Sequence, residues 1–159
     1  MYRRIVLAYD STEAGRAALR EGALLARRCG AEVFLLSVLA DSGGLALAEG
    51  AHVGAAHGHF EAYGAVLDEG LRKLERLGFK PTGKLVRGEP TQQIGDYARE
   101  VGADLVVVGH RKRSLLERWW SGTTGAYIVD NLDCSLLVAR SDISNEAFEA
   151  ELSQAARPG

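Results

Sequence analysis

The chain has 159 residues, room for one domain that builds its own core without disulfide or metal staples. Lys and Arg number 19 and Asp and Glu 21, and the resulting net charge of −2 excludes a generally basic nucleic-acid binder. There are 19 glycines against 3 prolines with no Gly-X-Y period, which excludes collagen and makes the placement of glycine the informative feature.

The first element is the apolar run Ile5-Val6-Leu7-Ala8-Tyr9. It follows Met1-Tyr2-Arg3-Arg4 with no small-residue cleavage site, so no signal peptide is expected. Helical spacing comes next through Ala14, Ala17, Ala18, Leu24 and Leu25, with Ser11 or Thr12 as N-cap and Gly30 as the closing residue. A second strand over Val33–Val38 leads into a Gly- and Ala-rich connection, 39–56. A second helical pattern runs Phe60, Tyr63, Leu67, Leu71, Leu74 and closes at Gly78. Lys84–Arg87 is a weaker strand candidate, and a third helix opens at Glu89-Pro90, passes Ile94 and Ala98 to Val101, and closes at Gly102. Leu105–Val108 is the next strand. A fourth helix is predicted from Thr123 through Ile128 to Leu132, and Leu136–Ala139 is the last strand.

Apart from Lys84–Arg87, the strand runs are short, apolar and do not alternate with polar residues, which suits strands buried on both faces. Their alternation with helices predicts right-handed crossovers and an α/β fold: a five-stranded parallel, doubly wound sheet in three layers, α/β/α. That domain spans 1–140. Residues 141–159 read as an extension, either a short helix carrying Phe148 and Leu152 with Ser144 or Asn145 as cap, or a frayed tail. No apolar stretch nears the roughly 20 residues that cross a bilayer. Cys29 and Cys134 lack any Cys-x-x-Cys spacing, so a reduced, cytoplasmic chain without membrane attachment is expected.

In a doubly wound sheet, ligands bind beyond the carboxyl ends of the strands, where strand order reverses. The residues there are Asp10-Ser11-Thr12, Val38 onward, Gly88-Glu89 and Gly109 onward. Gly109 ends a buried strand, and its missing side chain would admit a ligand close to the backbone. Arg111, Lys112 and Arg113 place three cations in the loop that follows. Gly122-Thr123-Thr124 opens a helix whose first amides, positive end and hydroxyls suit a phosphate. Asp10 offers a carboxylate to ribose hydroxyls. Together these groups describe a mononucleotide site.

Asp10 after the first strand, Gly88-Glu89-Pro90, the run Gly102–Gly109, Gly122-Thr123 and the step Asp133-Cys134-Ser135 resemble the universal stress protein family over residues 3–140. The resemblance implies an adenine-nucleotide alpha-hydrolase-like fold that binds ATP or AMP, with or without Mg2+. Nucleotide-binding members carry G-x-x-G-x9-G-[S/T]; Gly109, Gly122 and Thr123 match in register, and Lys112 stands where the second glycine belongs. Lys112 would either strain or displace the loop, or add a charge to a phosphate. Ser11 also replaces a usual glycine, a change expected to be mild because Ser caps helices. By resemblance, Asp10 and Val38 surround adenosine, and Gly109, Gly122, Thr123 and Thr124 hold ribose and phosphates. Ser11, Val108, Arg111 and Lys112 complete the candidate cofactor-binding set. The resemblance further implies a homodimer through Leu136–Ala139 and a regulatory role in the stress response, the nucleotide biasing a loop or dimer conformation that a protein partner reads.

Each candidate has a plainer reading. Asp10 serves as a carboxylate at a helix N-terminus, Arg111–Arg113 as a solvated loop, Trp119 and Trp120 as one packed and one interface indole, and Cys134 as a packed thiol. His52, His57 and His59 invite a metal, but His57 and His59 share a side only in an extended chain, so no metal site is assigned. GxxxxGK[ST], GxGxxG after the first strand and GxSxG are absent. No general base is positioned and Glu89 has no assigned role, so the reading leans against an enzyme, with at most weak ATP hydrolysis and no catalytic residue named. Two rivals stand: a dimeric, stress-related partner-binding module that has lost nucleotide binding, and a weak nucleotide hydrolase on the same fold.

Overall fold

The structure is a computed structural model that describes residues 1–40, 53–109, 128–139 and 143–155. Strands β1 (Arg4–Ala8), β2 (Glu32–Ala40), β3 (Thr82–Gly88), β4 (Leu105–Gly109) and β5 (Ser135–Ala139) form one sheet in the order β3-β2-β1-β4-β5. Every neighbouring pair is parallel, with Ile5 beside Val33 on one side and Leu105 on the other. The weak candidate over Lys84–Arg87 is a full edge strand. The chain runs outward from β1 to β3 and then returns to the far side of β1.

That reversal decides the layers. Right-handed crossovers running in opposite directions put their helices on opposite faces. Helices α1 (Glu13–Cys29) and α2 (Val53–Arg76) cover one face, where Ile5, Leu7, Leu35 and Leu74 are fully buried. Helix α3 (Pro90–Val101) covers the other, packing Ile94, Tyr97 and Ala98 on Val6, Leu36 and Val106. The result is the expected three-layer α/β/α fold. Each such aliphatic side chain contributes about 1.5–3 kcal/mol by leaving water. No helix among the described residues is long and apolar enough to cross a membrane.

Three sequence expectations change. Helix α2 begins at Val53, inside the stretch read as a connection, because its alanines favour helix enough to carry Gly54 and Gly58. Phe60, counted on the apolar side of that helix, is 49% exposed. The described part of the helix expected from Thr123 to Leu132 is a 3₁₀ turn, Ile128–Asn131, and residues 123–127 lie outside the described residues. Arg99 of α3 donates to Asn131 O at 3.2 Å, and Leu132 packs into the second core, so the chain turns straight into β5.

Beyond β5, helix α4 (Asn145–Ala155) docks on α1. Ser144 Oγ accepts from Ala147 N at 3.2 Å, Arg20 donates to Ile143 O at 2.7 Å, and Arg28 pairs with Glu151. Phe148 is 8% exposed and belongs to the α1-side core. Phe148→Ala is expected to cost about 3 kcal/mol, at the low end for a buried aromatic because α4 is terminal. Urea denaturation reads the loss, and hydrogen exchange should show the α4 amides losing protection before those of α1.

Candidate functional site

Strand order reverses between β1 and β4, and the switch point at their carboxyl ends is flanked by Asp10 on one side and Gly109 on the other. Asp10 is half-buried just beyond β1. Its Oδ1 accepts from Thr12 N at 3.1 Å and from Thr12 Oγ1 at 2.5 Å. This turn hands the cap to Thr12, whose Oγ1 accepts from Gly15 N at 3.1 Å. Of the two cap candidates in the sequence, Thr12 is the one used.

Ser11, between them, has φ of 60°, in the left-handed region. A side chain there costs about 1–2 kcal/mol. The replacement of the family's glycine is therefore not the mild change expected: Ser11 does not cap the helix, and it carries backbone strain that glycine would not.

The first turn of α1 lies directly on the two strand ends. A Cβ on Gly15 would fall 2.5 Å from Asp10 Oδ1. A Cβ on Gly109 would fall 2.2 Å from Ala14 O and 3.0 Å from Gly15 N. The missing side chain of Gly109, read in the sequence as space for a ligand, is space that the α1 backbone fills. Val108 is 2% exposed and packs into the α3-side core, so its side chain is structural. Val38 packs against the same core but is half-buried, paired to Val86 near the end of β2. Asp10, Ser11 and Gly109 are thus gathered around one helix end, with Val38 at the next strand. Arg111, Lys112, Gly122, Thr123 and Thr124 lie outside the described residues, as do Arg113, Trp119 and Trp120.

Two positioning residues escaped the sequence reading. Ser37 is fully buried and donates from Oγ to Tyr9 O at 2.8 Å, while Tyr9 N donates to Leu36 O at 2.9 Å. These bonds fix the peptide that presents Asp10. The signal was a lone hydroxyl inside the run Val33–Val38. Gly15 is the second: a glycine within a helix costs about 1 kcal/mol relative to alanine, which marks a close contact. Glu89, without a role in the sequence, caps α3 by accepting from Gln92 N at 2.8 Å.

No cluster of three or more His, Cys, Asp or Glu side chains poised for a metal occurs among the described residues. His57 and His59 both fall within α2, not in an extended segment. Burial, with the charges of Asp104 and Asp133, pushes the Cys134 thiol above its ordinary range, which fits a packed thiol and not a nucleophile.

A model of the universal stress protein family matches residues 1–140. The chain belongs to the universal stress protein family. It is 26% identical over 148 residues to a universal stress protein of Methanocaldococcus jannaschii, covering 88% of this chain and 83% of that one. In fold it resembles a universal stress protein solved in complex with cAMP, at 18% identity and a TM-score of 0.64 over 89% of this chain and 99% of the other. It also resembles a family member from Archaeoglobus fulgidus solved with dAMP, at 21% identity and a TM-score of 0.59, covering 87% and 98% of the two chains.

Two substitutions separate strain from contact. Ser11→Gly is expected to raise stability by about 0.5–1 kcal/mol by releasing the left-handed backbone. Gly109→Ala should lower it by at least ~2 kcal/mol, because the methyl meets backbone that side-chain rotation cannot move. Chemical denaturation of both variants checks the opposite signs.

Proposed function

We propose that this chain binds an adenine nucleotide, ATP or AMP, in the crevice between β1 and β4 and acts as a regulatory protein of the stress response. The observation that carries this is the convergence of Asp10 and the N-terminal turn of α1 at the point where strand order reverses. The carboxylate suits ribose hydroxyls, and Val38 offers an apolar wall to the base. By register with the family motif, Gly122, Thr123 and Thr124 would hold phosphates, with Arg111 and Lys112 adding charge. Mg2+, where bound with the nucleotide, would offset phosphate charge. The complexes of relatives with cAMP and dAMP support the same ligand class.

One observation favours the rival reading of a partner-binding module without nucleotide: Asp10 Oδ1 is already engaged by Thr12, as a helix-end carboxylate would be. Calorimetry decides between the two. Millimolar AMP or ATP, with and without Mg2+, should release heat, and Asp10→Asn should weaken binding about tenfold through loss of a charged acceptor. Silence with both nucleotides would sink the binding reading. Lys112→Gly then reads the loop: stronger binding means that Lys112 obstructs the site, and weaker binding that it holds phosphate.

The dimer proposed with this function pairs through β5. Edge strand β3 carries Lys84 and Arg87, charges that discourage strand pairing, whereas Ser135–Ala139 carries none and leaves Leu136, Leu137 and Val138 half-buried. Sedimentation equilibrium should give twice the 17.1 kDa chain mass.

A further inference from the structure

A second cleft lies on the other side of Tyr9, between α1, α2 and α4, with a volume of about 330 Å³. Its charge is unbalanced. Arg16 and Arg20 from α1 and Lys73 and Arg76 from α2 line it, against Glu149 from α4. Lys73 is paired with Glu69, and Arg20 donates to Ile143 O at 2.7 Å and lies 5.9 Å from the Phe148 ring centre. Arg16 and Arg76 make no side-chain hydrogen bond or ion pair among the described residues. Four cations against Glu149 and the Lys73-paired Glu69 leave an excess of positive charge, which raises the local potential and draws an anion.

The walls are mixed. Leu19, Leu77 and Phe148 supply apolar surface, and Tyr9, which also lines the cleft, holds its hydroxyl 3.2 Å from Glu69 Oε1. Glu69 is held below the usual carboxylate range first by its hydrogen bond from Lys73, with further lowering from the Tyr9 hydroxyl and the charge of Arg16. The volume sits at the lower limit of small-molecule pockets, roughly 300–1,000 Å³. A guanidinium matches phosphate and carboxylate oxygens two at a time, and two uncommitted guanidiniums match a dianion best.

We infer that this cleft is a second ligand site, which takes a small phosphate monoester with an apolar body between Arg16 and Arg76. It is independent of the nucleotide crevice: Tyr9 turns its ring to the α1 and α2 face, and the carboxylate at the crevice belongs to the next residue, Asp10.

Phenyl phosphate is the probe, with phenylacetate and inorganic phosphate as controls, titrated into the intact chain by calorimetry and by amide and methyl NMR. Phenyl phosphate should bind at millimolar concentration or below, about tenfold tighter than either control, and shift resonances of Tyr9, Leu19, Leu77 and Phe148. R16Q/R76Q, two exposed positions where Gln keeps helix propensity, should weaken it at least tenfold while leaving AMP affinity within about twofold. Glu149→Gln should strengthen it about threefold by removing the acidic wall. No binding, unchanged affinity in R16Q/R76Q, or shifts confined to Asp10 and Gly109 would overturn the inference. Equal affinity for phenylacetate would overturn the phosphate assignment. A chain that binds AMP but not phenyl phosphate removes this site alone. One that binds phenyl phosphate with the stated shifts but not AMP removes the nucleotide reading alone.

Discussion

The first turn of α1 rests on the ends of β1 and β4 with no side chain between them. Gly15 allows the helix to come against Asp10, and Gly109 allows the strand to come against Ala14 O. Everything at the carboxyl edge depends on this contact. It sets where the positive helix end points, it fixes the Asp10 carboxylate through Thr12, and it forces Ser11 into a left-handed conformation to make the turn tight enough. A bulkier residue at either glycine would lift the helix off the sheet and open the crevice from below.

The same closeness continues along α1. A Cβ on Gly22 would fall 2.3 Å from Leu7 Cδ2 and 3.5 Å from Val107 Cγ2, so the helix axis stays low over the two central strands. Small residues on that side of the helix (Gly15, Ala18, Gly22, Ala23, Ala26) exchange their own buried area for complete burial of the strand residues beneath. A helix seated so deeply leaves room above it. The C-terminal helix occupies part of that room, placing Phe148 in the core and Glu149 in the lining of a cationic cleft. Tyr9 joins the two regions: its backbone is tied to β2 by Ser37 and Leu36, its side chain reaches Glu69 and Lys73, and its chain neighbour is Asp10.

Glycine was legible in part. Gly30 and Gly102 close helices in the left-handed conformation, as their places before strands suggested. Gly22 carries no such local signal, because the Leu7 and Val107 side chains that exclude its own are distant in sequence; Gly15 is marked only as a glycine inside a helix, and the Asp10 carboxylate that excludes its side chain is known from the structure. Gly109 was noticed for the right position and the wrong neighbour: where a ligand was expected against the missing side chain, the structure has the carbonyl of Ala14. Val108 was likewise placed at the right strand end, but its side chain points into the core that α3 completes. Helix α2 was cut short because a Gly- and Ala-rich stretch reads as linker by composition, although alanine stabilises helix wherever one has begun.

Patterning within each segment was enough to place the strands, the closing glycines of α1 and α3, the parallel sheet and the family, because apolar runs and closing glycines act over a few residues and leave their mark there. The tertiary structure alone decided which side of the sheet each residue serves and what fills the space beside each glycine. Burial and steric exclusion are set by residues 90 or more positions apart, as when Gly109 meets Ala14, and no local pattern encodes the identity of that neighbour. The cationic cleft is the clearest case. Arg16, Lys73 and Glu149 are unremarkable surface charges in sequence, and become a site only where three helices bring them to one opening.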